Sequence, residues 1–366
     1  MTMPRQNCLA SRKIYKGGKE KVKKWFLMLS SLVLVLGLLL AGCGSSGGKQ
    51  PAAGDGQASP KSDATGGEAK TVKLGIIQII EHPALDAARK GFLAACKAGG
   101  YEEGKNLQVD YQNAQNDPST LQNIARKFAQ DKKDLILAIA TPSAMAMANE
   151  TQEIPILITA VTDPVEAKLV KNMEKPGTNV TGTTDLNPIK EQLELLKQLV
   201  PNTKKFGVIY NSSEVNSQVQ VKIVKQEAAG LGLTVVEAPV TASSEVVQAA
   251  QSLVGKVEAI YIPTDNTVVA SIAGVLQVAE PHKIPVIAGE SNTVESGALG
   301  TIGIDYYKLG EQTGQMALRV LKGEKPQDMP IEKQKDMSIV LNAKAARAFG
   351  VTIPEDLKQK ASKVIE

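Results

Sequence analysis

The sequence predicts an α/β protein of two similarly wound lobes, each built on a doubly wound parallel sheet. From residue 72 onward, short apolar runs alternate with longer amphipathic stretches, the pattern of βα units whose sheet is covered on both faces. About 290 residues of that pattern exceed what one compact lobe holds. The order of elements also repeats. Lys73-Leu-Gly-Ile-Ile and Lys205-Phe-Gly-Val-Ile each open a series, Asp134-Leu-Ile-Leu-Ala-Ile-Ala-Thr-Pro parallels Glu258-Ala-Ile-Tyr-Ile-Pro-Thr, and Glu153-Ile-Pro-Ile parallels Lys283-Ile-Pro-Val, at offsets of 132, 124 and 130 residues.

At the amino end, residues 5–24 carry eight Lys or Arg against one acid, Glu20, and the following run, 25–40, has no charge. That run is shorter than the roughly 20 residues that span a bilayer, and small residues follow it, so 1–42 reads as a signal peptide. Leu40-Ala41-Gly42-Cys43 resembles the lipobox of bacterial lipoproteins, in which the cysteine takes a diacylglyceryl group and becomes the mature amino terminus. Cys43 is therefore the expected lipidation site, with the body anchored at the outer face of the cytoplasmic membrane. Residues 43–70 are rich in Gly, Ser, Ala and Pro and read as a disordered tether, about 30 Å in reach by flexible-chain scaling. Loss of the leader turns a formal charge of +4 into 34 basic against 37 acidic residues, which points away from nucleic acid. It also leaves Cys96 without a disulfide partner, as a small buried residue of a helix over 86–98.

Strands are expected at 72–77, 107–111, 135–139, 156–158, 206–210, 234–237, 259–262 and 286–288, each followed by a turn signal and a helical period. Asn187-Pro188 places an N-cap before a proline at the first helical position, and Leu193, Leu196 and Val200 then share one face until Pro201 ends the helix. Extended segments that precede helices near 180–185 and 302–305 mark crossings between lobes. Lobe 1 is expected to comprise 71–187 plus 304–330, and lobe 2 188–303 plus 331–366.

Enzyme signatures are missing: there is no phosphate loop, nucleophile elbow or dinucleotide glycine fingerprint. With His82 and His282 as the only histidines and no cysteine pair, neither a metal nor another cofactor is expected. Polar residues instead gather where strands end, the place at which open α/β sheets bind ligands. Five places qualify: Glu81-His82, Thr141-Pro142-Ser143, Thr162-Asp163-Pro164, Pro263-Thr264-Asp265-Asn266 and Gly289-Glu290-Ser291. Thr141 and Ser143 either cradle a carboxylate or simply start a helix. Asp163 and Asp265 either accept a ligand ammonium from opposite lobes or form ordinary turns. Glu290 faces the cleft or improves the next helix start, and His82 covers a ligand or caps the helix near Pro83.

At these residues the chain resembles the tryptophan/tyrosine-type substrate-binding lipoproteins of ABC transporters. The resemblance covers 72–366 and rests on Glu81-His82-Pro83-Ala84-Leu85-Asp86, Asp110-Tyr111-Gln112-Asn113-Ala114-Gln115, Ala138-Ile-Ala-Thr-Pro, Thr159-Ala-Val-Thr-Asp-Pro, Gly182-Thr-Thr-Asp, Pro263-Thr-Asp-Asn-Thr and Gly303-Ile-Asp-Tyr-Tyr. It implies a type I periplasmic-binding-protein fold with three crossings around a ligand cleft. It further implies a free amino acid as ligand, an aromatic one by family habit, and delivery to an ABC permease and its ATPase by a monomer. Glu81, Thr141, Ser143, Asp163, Asp265, Asn266 and Glu290 match the family's contact positions, with His82, Pro142, Thr162 and Thr267 beside them. Ser291-Asn292 follows Glu290 where relatives often carry a second glutamate. The alternatives are a secreted enzyme on the same scaffold, a sensory lobe, or a binding protein for a branched-chain amino acid, nucleoside or sugar. Loss of the only tryptophan, Trp25, with the leader argues against sugar stacking.

Overall fold

A computed structural model describes residues 71–366. The expected signal peptide, Cys43 and the tether lie outside the described residues. The first lobe opens with β1 (Val72–Gln78), α1 (Pro83–Ala98), β2 (Leu107–Asn113), α2 (Pro118–Gln130), β3 (Leu135–Ile139), α3 (Thr141–Glu150), β4 (Ile156–Val161) and β5 (Val180–Thr184). The central strands β3 and β4 are buried at every position, and β3 accordingly reads as an unbroken apolar run rather than an alternating one.

The chain then crosses to α4 (Ile189–Leu199), β6 (Lys205–Asn211), α5 (Val215–Gly230), β7 (Thr234–Val240), α6 (Val246–Leu253), β8 (Ala259–Ile262), α7 (Asn266–Ala270), α8 (Ile272–Ala279), β9 (Val286–Ala288), α9 (Ser291–Glu295) and β10 (Gly300–Gly303). It returns to the first lobe for α10 (Tyr306–Leu321) and β11 (Glu332–Lys333), and ends in the second with β12 (Ser338–Asn342), α11 (Ala343–Phe349), α12 (Glu355–Lys360) and β13 (Lys363–Ile365).

The first sheet has the order β11-β5-β4-β3-β1-β2 and the second β13-β12-β10-β9-β8-β6-β7. Every pairing is parallel except β10 with β12. Two separate apolar cores result, one per lobe. This is the type I periplasmic-binding-protein architecture that the resemblance implies, and all eight expected strands are present.

Helix α10 belongs to the first lobe because of two glycines. A Cβ on Gly91 would lie 2.0 Å from the Tyr307 carbonyl oxygen, and one on Gly310 1.9 Å from that of Ala88. Backbone thus packs on backbone between α1 and α10, an approach that only glycine permits. Thr313 of α10 is 2.8 Å from Thr183 of β5, hydroxyl to hydroxyl, which ties the same helix to the sheet.

Three segments cross between the lobes, at 185–188, 304–305 and 334–337, and they are tied together. Ile304 N–H donates to Asn187 Oδ1 at 3.4 Å, and Asp305 N–H to Gln334 Oε1 at 2.9 Å. Two expectations need correction here. Asn187 is not an N-cap: its Nδ2 donates to the Asp185 carbonyl and its Oδ1 serves the second crossing, so α4 starts uncapped after Pro188. The return to lobe 2 falls after residue 333 rather than 330, because Glu332 and Lys333 still pair with Thr183 and Thr184. Cys96 is a free, buried thiol, and burial pushes its pKa up to about 12, so it is packing material. No helix among the described residues is long and apolar enough to cross a membrane.

Candidate functional site

The carboxyl ends of both sheets face one another across a narrow, tightly closed cavity. The first lobe lines it with His82, Ala84, Leu85, Ala160, Thr162 and Tyr306; the first crossing contributes Asp185; the second lobe supplies Asn216, Thr264, Asp265, Asn266, Val269 and Glu290. None of these residues is Lys or Arg, while three carboxylates are buried in the wall. A fourth, Glu214, is buried just behind Asn266, whose Nδ2 it accepts at 2.5 Å.

Burial drives the acids toward protonation: Asp185 and Asp265 are raised, and Glu290 is pushed up to about 7. Glu214 reaches about 7 through burial and the neighbouring Asp265 carboxylate. A cavity rich in buried acid and free of basic side chains suits a ligand that brings positive charge.

The sequence-expected residues fall into three groups. Glu81 is exposed and does not line the cavity. Asp163 is half-buried and accepts from Val165 N–H and Glu166 N–H, both at 3.0 Å, so it makes a turn. Asp265 lines the cavity but is occupied within its own lobe: it accepts from Asn211 N–H at 2.6 Å and Ser217 Oγ at 2.5 Å, and caps α7 through Val268 N–H at 2.8 Å. The expected ammonium clamp of Asp163 and Asp265 is therefore taken up by backbone and hydroxyl donors. Glu290 likewise caps α9, accepting from Asn292 N–H at 2.6 Å, Thr293 N–H at 2.7 Å and the Thr293 hydroxyl.

The remaining candidates are polar and buried. His82 precedes α1 without capping it, and neither ring nitrogen has a hydrogen-bond partner. Its pKa is lowered to about 4 by burial, against the opposing pull of the Asp86 carboxylate, so the ring is neutral. Thr141 and Ser143 begin α3 with Pro142 between them; both hydroxyls are buried and unpartnered, and the helix is not capped by any side chain. Ala140 N–H donates to the Thr159 carbonyl, which sets this helix start beside Ala160 and Thr162 of the cavity wall. Thr141 and Ser143 themselves are not among the residues that line it. Asn266 and Thr267 both donate to Glu214.

Ala140 and Ala160 have φ of 76° and 56°. A non-glycine residue in that region is strained, and such strain concentrates where a ligand is held. Direct bonds also span the cleft: Asn116 Nδ2 donates to Thr267 Oγ1 at 3.1 Å, and Gln220 Nε2 to Thr162 Oγ1 at 3.5 Å.

Asp185, Tyr306, Asn216 and Glu214 were not among the expected site residues. Asp185 ends a Gly-Thr-Thr-Asp run where the chain leaves the sheet, and that acid at a crossing was the available signal. Tyr306 and Asn216 occupy first turns of helices, where no sequence period distinguishes a cleft-facing polar group from a capping one.

Two lobes closing on a buried polar cavity define a solute-binding protein. The pattern of the family described as ABC transporter substrate binding protein matches residues 73–365, and the chain belongs to that family. It is 48% identical over 316 residues to the tyrosine-binding protein of Clostridioides difficile (strain R20291), covering 86% of this chain and 89% of that one. A Streptococcus pneumonia ABC domain solved in complex with L-Trp is 37% identical with a TM-score of 0.79, over 81% of this chain and 100% of that one. A ligand-free, open substrate-binding protein with adhesive properties from Clostridium difficile is 52% identical with a TM-score of 0.62, over 81% and 99%. The more identical of the two solved relatives superposes less well.

Proposed function

We propose that this protein captures a free α-amino acid with an aromatic side chain outside the cytoplasm and delivers it to an ABC permease and its ATPase. The observation that carries the reading is the cavity between the lobes, acid-walled and without a basic residue, with two unpartnered hydroxyls beside it at an uncapped helix start. A zwitterion answers both features: its ammonium faces the acids, and its carboxylate takes the Thr141 and Ser143 hydroxyls with the free N–H groups of α3. His82, Thr162 and Asn266 complete the polar wall. The aromatic side chain is supported by the tyrosine-binding and L-Trp-bound relatives.

Calorimetry with tyrosine, tryptophan, phenylalanine, leucine, tyramine and tryptamine tests this. The aromatic amino acids are expected to bind tightest, and the amines at least ~10-fold more weakly, the worth of a charge-assisted hydrogen bond. Amines that bind as well as amino acids would remove the carboxylate cradle.

The Leu40-Ala41-Gly42-Cys43 run after an uncharged apolar stretch supports anchoring by lipid on Cys43. A Cys43→Ser variant is expected in the medium or as unprocessed precursor. Membrane-bound protein of mature size from that variant would refute the anchor.

A further inference from the structure

We infer that Asp185, on the first crossing segment, is the residue that accepts the ligand's ammonium, joined by the side-chain carbonyl of Asn216 from the second lobe. This rests on the amino-acid reading above and assigns one half of the zwitterion to a named pair.

The assignment follows from counting free acceptor positions on each buried acid. A carboxylate offers about four lone-pair sites. Glu214 takes four donors, from Asn211 and Thr267 on one oxygen and Asn216 and Asn266 on the other. Asp265 and Glu290 each take three, and each caps a helix. Asp185 takes two, one per oxygen: Thr162 Oγ1 at 3.1 Å and Tyr306 OH at 2.5 Å. It caps no helix, lines the cavity, is 3% exposed and has no cationic partner in that wall. One lone pair on each oxygen is therefore left for a donor that the chain itself does not supply.

A second observation points to the same place. Asn216 lines the cavity from α5 at 3% exposure, and its Nδ2 is committed to Glu214 and Ser217. That orientation leaves Oδ1 buried and unpartnered. An ammonium has three donors and needs several acceptors at once; of the side-chain oxygens of this wall, the Asp185 carboxylate has the most sites open among the acids, and the Asn216 carbonyl has no donor at all. Their positions carry a further meaning. Asp185 is held by Thr162 of the first lobe and by Tyr306 just past the second crossing, whereas Asn216 moves with the second lobe. An ammonium shared between them bridges crossing and lobe, so recognition of the charge favours the closed cleft.

The test is calorimetry of the full chain and two variants with L-tyrosine and its des-amino analogue, 3-(4-hydroxyphenyl)propanoate, with thermal unfolding as the check on folding. Wild type is expected to prefer tyrosine by ~30-fold or more, the scale of removing one member of a buried charged pair. Asp185→Asn is expected to lose at least ~30-fold for tyrosine while its affinity for the analogue changes less than ~3-fold, which collapses the discrimination. Asn216→Ala, read from the other lobe should Asp185→Asn fold poorly, is expected to lose ~10-fold for tyrosine alone. Retained discrimination in either folded variant, or equal losses for both compounds, overturns the inference. Equal binding of the two compounds by wild type overturns the ammonium site while the carboxylate cradle stands. Failure of wild type to bind any amino acid overturns the proposed function and this inference with it.

Discussion

His82 shows how a single residue reports on the cavity. Held neutral by burial, it has a folded pKa of about 4 against an ordinary 6.5. A histidine depressed in this way contributes its full stability above its unfolded value and loses it as pH falls from 6.5 toward 4, because the unfolded chain binds the proton first. The buried acids act with the opposite sign. Glu214 and Glu290, raised to about 7, hold protons in the folded state between 7 and 4.5, so their contribution grows as pH falls through that window. Ligand-free urea unfolding at pH 7, 5.5 and 4.5 separates the two in a His82→Asn variant. The variant is expected to lose ~2–3 kcal/mol less than wild type on acidification, the linkage value for a shift of that size. Parallel stability profiles would show that the imidazole is hydrated.

At the level of elements, much of the architecture was legible because each βα unit carries its own signal. β3 was read at its observed bounds, and β4 only at its first three positions, since the bulge between Ile158 and Val161 and the positive φ of Ala160 break its period. β11, of two residues, is too short for any period, and β13 lacks the buried apolar run that marks the equally short β9. The site was half legible for a related reason. Strand ends locate it, yet the same residues that a cleft needs are those that caps need. Asp163 makes a turn, Asp265 and Glu290 cap helices while also lining the cavity, and Asp185 is reached by Thr162 and Tyr306, with Asn216 in the same wall, from three elements. Nothing in local spacing encodes that convergence.

At the scale of the whole molecule, two lobes are joined by three tied crossings, and the bonds Asn116–Thr267 and Thr162–Gln220 span the cleft between them. Each is worth about 1 kcal/mol net, enough to shift an open–closed equilibrium ~5-fold. Small-angle scattering is therefore expected to show a smaller radius of gyration with saturating tyrosine, and a larger ligand-free radius for Asn116→Ala than for wild type. Identical radii in all three samples would refute a hinge.

The glycine contact between α1 and α10 also governs how the chain acquires its shape. One face of α1 stays uncovered until α10 has been made, and the second sheet lacks β12 and β13 until the last residues emerge. The first lobe lacks its last strand until residue 333 and the second until residue 365, however complete their early βα units are. Residues far apart in sequence must find each other in the last step, the kind of non-local closure that slows folding. A nascent chain halted after β10 would carry nearly every strand of both sheets and still own no finished lobe.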